Sequence, residues 1–211
     1  MRKSFIYLVS FLLLAQLASA QIIGPVPDLY LSSYWIEYPG AEPVGLYVVP
    51  DASGVTFYEA RLMDGSEVDA RIHVRLIDGM GIPIQFYPAE DIWLDSQDSH
   101  LALCSGGSVA DGDTDFFGHT SWYNPLRAGG YSLEPTVVVV SGAVLAGGPG
   151  VNLHFNSPDL NGDLSVNLTD VSLFAGDFFG VYHFRSDLAF DGTINLSDVS
   201  RLALAVGRSC P

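Results

Sequence analysis

A chain of 211 residues with 48% hydrophobic content has enough apolar material to bury a core, which excludes an acidic disordered tail. Only nine Lys and Arg stand against 24 Asp and Glu, a formal charge of −15. No basic cluster offsets that charge locally, which excludes nucleic acid and anionic lipid surfaces as partners.

Arg2 and Lys3 precede an apolar run over residues 5–17, and Ala18-Ser19-Ala20 puts small residues just ahead of Gln21. This is the pattern of a secretory signal peptide, residues 1–20, cleaved before Gln21. The run is short for a transmembrane helix, which takes about 20 apolar residues. Cleavage leaves seven arginines, no lysine and 24 acids, a formal charge of −17 (7 − 24). The expected location is secreted or cell-surface, with no membrane insertion after cleavage. In such an oxidising compartment the two cysteines, Cys104 and Cys210, are expected to pair.

Residues 21–156 read as β-structure. Short runs rich in β-branched and aromatic residues lie at 29–31, 45–49, 70–77, 92–94, 120–123, 136–140 and 151–155. Ile72, Val74 and Leu76 alternate with Arg71, His73, Arg75 and Ile77, the two-residue period of a half-buried strand. Turn signals such as Tyr38-Pro39-Gly40, Asp78-Gly79-Met80-Gly81 and Gly147-Gly148-Pro149-Gly150 separate the runs. No amphipathic helix of useful length precedes residue 167. About seven short strands with frequent turns point to a β-sandwich.

Within this region, the strand that ends in Asp78-Gly79-Met80-Gly81-Ile82-Pro83 is followed by Ser108-Val109-Ala110 and by Thr114-Asp115-Phe116-Phe117-Gly118-His119-Thr120. That order resembles bacterial immunoglobulin-like domains of the invasin type, with their D-x-x-G-x-P turn and later T-D-x-x-G-x-T. The resemblance implies an immunoglobulin-like β-sandwich and carries over no catalytic residue.

After Pro158 the period changes from 2 to 3.6. Val171, Phe174, Ala175 and Phe178 share one helical face, and Val199, Leu202, Ala203 and Val206 repeat it 28 positions later. A twelve-residue loop precedes each face. Asp159, Asn161, Asp163, Asn167 and Asp170 set oxygen side chains at positions 1, 3, 5, 9 and 12, and Ser165 offers a backbone carbonyl at position 7. A hard cation that needs six to eight oxygens is served by this spacing, so the loop is expected to bind Ca2+. The second loop repeats it with Asp187, Asp191, Thr193, Asn195 and Asp198. Each loop has a defect. Leu164 occupies position 6, where positive φ is required, at about 1–2 kcal/mol for a residue with a Cβ. Ala189 at position 3 has no oxygen to give, so the second of the two calcium sites is expected to be weaker. A reading without metal also fits part of the pattern: Thr169 and Ser197 would cap the helices, with Asp170 and Asp198 favourable at their amino ends.

The pair of loop–helix units resembles the type I dockerin module, two repeats of a D-x-N-G-D-G-x-V/I-N-x-x-D calcium loop each followed by a helix. The resemblance covers residues 157–207. It implies folding around calcium and attachment to a cohesin-like protein module or a cell-surface component, in the setting of polysaccharide breakdown. Loop positions 10 and 11, which help to choose the partner in that family, are Leu168 and Thr169 in the first repeat and Leu196 and Ser197 in the second. Metal-binding energy is folding energy for so small a unit, so chelation is expected to unfold residues 157–207 while the β-region persists.

Other constellations are thinner. Asp111-Gly112-Asp113-Thr114-Asp115 reads as a solvated turn or a further cation site. Glu90, Asp91 and Glu134 offer carboxyls of the kind glycosidases pair. Trp35, Trp93 and Trp122 offer rings for stacking on sugars, or for the core. The leading expectation is a mainly β, two-domain, non-enzymatic secreted protein: an immunoglobulin-like β-sandwich at 21–156 followed by a dockerin-like calcium-binding module at 157–211. The alternative is a small polysaccharide-active hydrolase, or a carbohydrate-binding or adhesion module, that carries a docking domain.

Overall fold

The two-residue period decides which way the sheets face. In the strand Ile72–Arg75, Ile72 and Val74 are fully buried while Arg75 is exposed. The computed structural model describes residues 25–146 and 150–211. The expected signal peptide and the Gly147-Gly148-Pro149 turn lie outside the described residues.

The described chain is mainly β. Its twelve strands are β1 (Ser33–Ile36), β2 (Val44–Tyr47), β3 (Ala60–Leu62), β4 (Glu67–Val68), β5 (Ile72–Arg75), β6 (Ile92–Ser96), β7 (Leu101–Leu103), β8 (His119–Trp122), β9 (Ala128–Gly130), β10 (Thr136–Val140), β11 (Ala143–Val144) and β12 (Leu153–Asn156). They form four sheets in the orders β1-β5-β8, β11-β10-β6, β12-β2-β3-β4 and β7-β9. The pairing is antiparallel except between β12 and β2. One core, with Trp122, Phe57, Phe155, Leu46, Ile72 and Leu94 fully buried, joins residues of all four sheets, Ala128 of β9 included. The Trp122 indole donates to the carbonyl of Ser108 at 2.9 Å, which satisfies its one polar atom inside that core.

The strands expected at 45–49, 70–77, 92–94, 120–123, 136–140 and 151–155 have counterparts, shifted by a residue or two. The run at 29–31 is a turn instead. Asp28 Oδ1 accepts the N–H groups of Tyr30 and Leu31, a local alternative to strand pairing. β3, β4, β7, β9 and β11 are two or three residues long and carry too few alternations to stand out in sequence.

Two α-helices follow, α1 (Leu168–Phe178) and α2 (Leu196–Ala205). Their buried stripes run Asp170, Phe174, Asp177 and Asp198, Leu202, Ala205. The expected faces are rotated from this: Ala175, Ala203 and Val206 are exposed. The reason is that the last loop residue of each repeat, Asp170 or Asp198, turns inward and sets the phase of the helix behind it.

The helical segment is packed against the β-region. Its core of Leu160, Val166, Phe174, Leu188, Leu202 and Ala205 includes Val49 and is flanked by Tyr47 at the end of β2. The Tyr47 hydroxyl donates to the carbonyl of Arg201 at 3.2 Å, and the Arg201 guanidinium sits 4.7 Å over the Tyr47 ring. Cys104 and Cys210 are joined, with Cα atoms 5.9 Å apart, and tie the carboxyl end to the turn after β7.

Candidate metal centre

β12 delivers the chain directly into the first loop. Gly130 at the end of β9 donates its N–H to the carbonyl of Asp159 at 2.7 Å, and Ser157 donates back to the Gly130 carbonyl at 2.9 Å. A Cβ on Gly129 would overlap the Asp159 carboxylate, so a glycine is required where the β-region meets position 1 of the loop.

The two loops are held by the same hydrogen bonds. Asp159 Oδ2 accepts from the N–H of Leu164 at 2.7 Å and Oδ1 from that of Asp163 at 3.2 Å. Twenty-eight residues on, Asp187 Oδ2 accepts from Gly192 at 2.9 Å and Oδ1 from Asp191 at 3.1 Å. Asp170 accepts from the N–H groups of Asn161 and Asn167 at 3.2 and 2.8 Å. Asp198 accepts from those of Ala189 and Asn195 at 2.7 and 2.8 Å. The group used at position 3 is a backbone N–H, so Ala189 keeps the frame of the second loop and removes only an oxygen.

Positions 4 and 6 both take positive φ: Gly162 at 70° and Leu164 at 67° in the first loop, Phe190 at 53° and Gly192 at 78° in the second. Each loop thus has one glycine and one strained residue. The strain expected at Leu164 has an equivalent at Phe190, whose ring is buried where a Cβ on Gly45 of β2 would strike it. Packing against the β-region holds that residue in its conformation.

The helix caps are Asn167 and Asn195, not Thr169 and Ser197. Their side chains accept from the N–H groups of Thr169 and Ser197 at 2.8 and 2.7 Å, and Asp170 and Asp198 complete the capping boxes. Capping occupies one oxygen of each asparagine and both carboxylate oxygens of each aspartate have N–H partners, yet a carboxylate retains further lone pairs for a cation.

Asp159, Asp170, Asp187 and Asp198 are wholly buried, and among the described residues no Lys, Arg or His pairs with any of them. Burial pushes the Asp159 carboxyl up to about 6; the N–H of Leu164 offsets part of that rise, and the charges of Asp170 and Asp163 add to it. Burial also raises Asp187 and Asp198. A buried carboxylate without a counter-charge is costly unless it gains a proton or a metal ion. Asp163 and Asp191 at position 5, with Ser165 and Thr193 at position 7, line the outer side of each loop. Among the described residues no three His, Cys, Asp or Glu side chains converge as a ready-made cluster. The candidate donor sets are mixed, drawing on amide and carbonyl oxygens as well as carboxylates, which is calcium chemistry.

Two supports have no signature in the sequence repeat. The Tyr182 hydroxyl donates to Asp187 Oδ2 at 2.9 Å, and burial together with that bond raises its pKa. Asp177, at the end of α1, accepts Arg185 Nε at 2.8 Å, Arg185 Nη2 at 3.0 Å and Ser186 Oγ at 2.6 Å. These bonds fix the segment that enters the second loop. Burial pushes Asp177 up, but the bonds from Arg185 and Ser186 outweigh it and hold the carboxyl below the usual range. Its depressed pKa contributes stability that is complete above the unfolded carboxyl value, about 4, and is lost as pH falls through the lower folded value. Asp177→Asn is therefore expected to cost about 2–4 kcal/mol at neutral pH. In urea unfolding at several pH values, the gap between the two proteins should narrow as pH drops below about 4.

Searches against known protein families, curated proteins and solved structures find no match for this chain.

The remaining sequence candidates fall elsewhere. Asp111, Asp113 and Asp115 accept N–H groups of Tyr123 and Asn124, of Ala89, and of Phe117 and His119, and so pin turns. Glu90 and Glu134 lie beyond opposite ends of β6. At ~3.3 Å per residue that strand alone separates them by more than about 13 Å, wider than a glycosidase pair. Among the described residues no helix is long and apolar enough to cross a membrane.

Proposed function

We propose that residues 157–211 form a dockerin-like module in which two Ca2+ ions clamp the loop–helix repeats, and that the module attaches a secreted, non-catalytic protein to a cohesin-like partner or a cell-surface component. The remainder, on this reading, is an immunoglobulin-like sandwich that presents it. The observation that carries the proposal is the residue-for-residue repetition of the loop hydrogen bonds around four buried carboxylates that form no ion pair among the described residues. In each loop, Asp at positions 1, 5 and 12 would hold the ion, joined by the position 7 carbonyl and the position 9 amide oxygen, with Asn161 adding one in the first loop only. Calcium would supply the missing positive charge.

The attachment role draws on what the helices leave uncovered. Leu168 and Leu196, at position 10 of the two loops, are 77% and 74% exposed, and Thr169 and Ser197 beside them are also exposed. Paired leucines kept in solvent at equivalent points of a repeat are suited to a partner surface. Surface plasmon resonance against a panel of immobilised cohesin modules tests this. Binding in calcium, abolished by chelator and weakened at least tenfold by Leu168→Asp with Leu196→Asp, is the expected result. No binding to any cohesin in calcium would refute the attachment role.

A further inference from the structure

One face of the β-region stands apart from the calcium loops. In the sheet β1-β5-β8, alternation sends Tyr34, Ile72, Val74, Thr120 and Trp122 into the core. It sends Trp35, His73, Arg75 and His119 outward. The Trp35 indole lies flat over the His73 ring, centroids 5.3 Å apart and 17° from parallel, and meets His119 edge-on at 6.2 Å. His73 thereby supports one side of the indole, and Trp35 remains 42% exposed. The ring is held rigid before any ligand arrives, which spares the ordering cost of binding.

Arg75 is the diagonal neighbour of Trp35 on this face, since Trp35 pairs with His73 and Ser33 with Arg75. Side chains in that relation sit about 7 Å apart. Among the described residues, the other arginines each have a carboxylate, a carbonyl or an aromatic ring against the guanidinium. Arg75 has none of these. The acid on the same face, Glu37, is drawn to His73 at 3.0 Å, and Asp115 is occupied by the N–H groups of Phe117 and His119. In a chain of formal charge −15, an anionic ligand is repelled almost everywhere, so an exposed arginine without a partner is a local exception.

We propose that this sheet face binds an acidic polysaccharide, with a hexuronate ring stacked on the open side of Trp35 and its carboxylate paired with Arg75. A pyranose ring offers a flat C–H face to an aromatic plane, and a uronate carries its carboxylate at the ring edge, within reach of a neighbouring guanidinium. The surface is a flat sheet, not a pocket, which suits an extended chain over a single side chain of a protein.

Titration calorimetry on the full chain tests the assignment with two xylo-oligosaccharides of equal length, one bearing a glucuronate branch and one without it. The expected result is binding of the acidic oligosaccharide at least tenfold tighter than the neutral one. That affinity should fall at least tenfold in Trp35→Ala and in Arg75→Ala, and be partly restored in Trp35→Phe, with thermal stability unchanged in all three. Absence of binding, equal binding of the two oligosaccharides, equal competition by polyglutamate, or variants that bind like the parent would each overturn it. Calcium binding by the loops is measured separately, so failure here leaves the attachment proposal standing, and the reverse also holds.

Discussion

Chelation of calcium is expected to lower the melting temperature of the whole chain, in one transition. A ligand that binds only the folded state stabilises it by about 4 kcal/mol when present at a thousand times its Kd. For a chain of this size that is about 8–16 °C for one such site. Sequence reasoning points to a module that unfolds alone while the β-region persists. The packing argues otherwise. Val49 belongs to the core of the helical segment, Tyr47 bonds to Arg201, and Asp159 is bonded to Gly130. Loss of the first loop therefore exposes surface on both sides of the junction. Differential scanning calorimetry with calcium and with chelator distinguishes the outcomes. A single transition that shifts down supports a shared fold; a helical transition that moves while a β-transition stays fixed would show two independent units.

Cys210→Ser should also be costly. The bond closes a loop of 106 residues, and loss of that constraint is expected to cost about 4–5 kcal/mol through the entropy of the unfolded chain. Its local effect is more specific. The tail that it anchors runs back along the first loop: Val166 donates to the Arg208 carbonyl at 2.8 Å, Gly207 to that of Val166 at 2.8 Å, and Cys210 to that of Leu164 at 3.2 Å. Leu164 is the strained residue of that loop. Without the bond the tail is free to leave, and Leu164 keeps its N–H bond to Asp159 but loses the carbonyl contact that also holds it at positive φ. The variant is expected to weaken calcium at the first loop and to spare the second, which among the described residues has no backbone bond to the tail. Urea unfolding gives the stability, and calcium titration of Cys210→Ser beside Asp198→Ala, which leaves only the first loop intact, gives the site.

Much of the candidate centre is legible in the sequence because its parts are local. Positions 1 to 12 of each loop lie within one turn of chain, so Asp159 through Asp170 announce themselves by spacing alone. The strain at Leu164 follows from the same frame. What the sequence hides is whatever another segment supplies. Nothing about Gly129 marks it as the residue that clears space for Asp159, because the two meet only after β9 and β12 are placed. Tyr182 and Asp177 support the second loop without counterparts in the first, so the repeat cannot reveal them. The helix faces differ from the apolar period for a related reason: the buried stripe begins at Asp170 and Asp198, which carry no hydrophobic signal. Among strands, β5 is visible through its alternation and β10 through its β-branched run, whereas β7, β9 and β11 exist only through their partners.

The number of calcium ions bound is the most direct test of whether the paired loops hold two. Titration calorimetry of the intact chain, stripped of metal beforehand, should give two calcium ions per chain, the site of the second loop weaker for want of an oxygen at Ala189. Asp170→Ala and Asp198→Ala should each remove one. A chain that takes up no calcium at millimolar concentration, or whose uptake survives both substitutions together, would contradict the account.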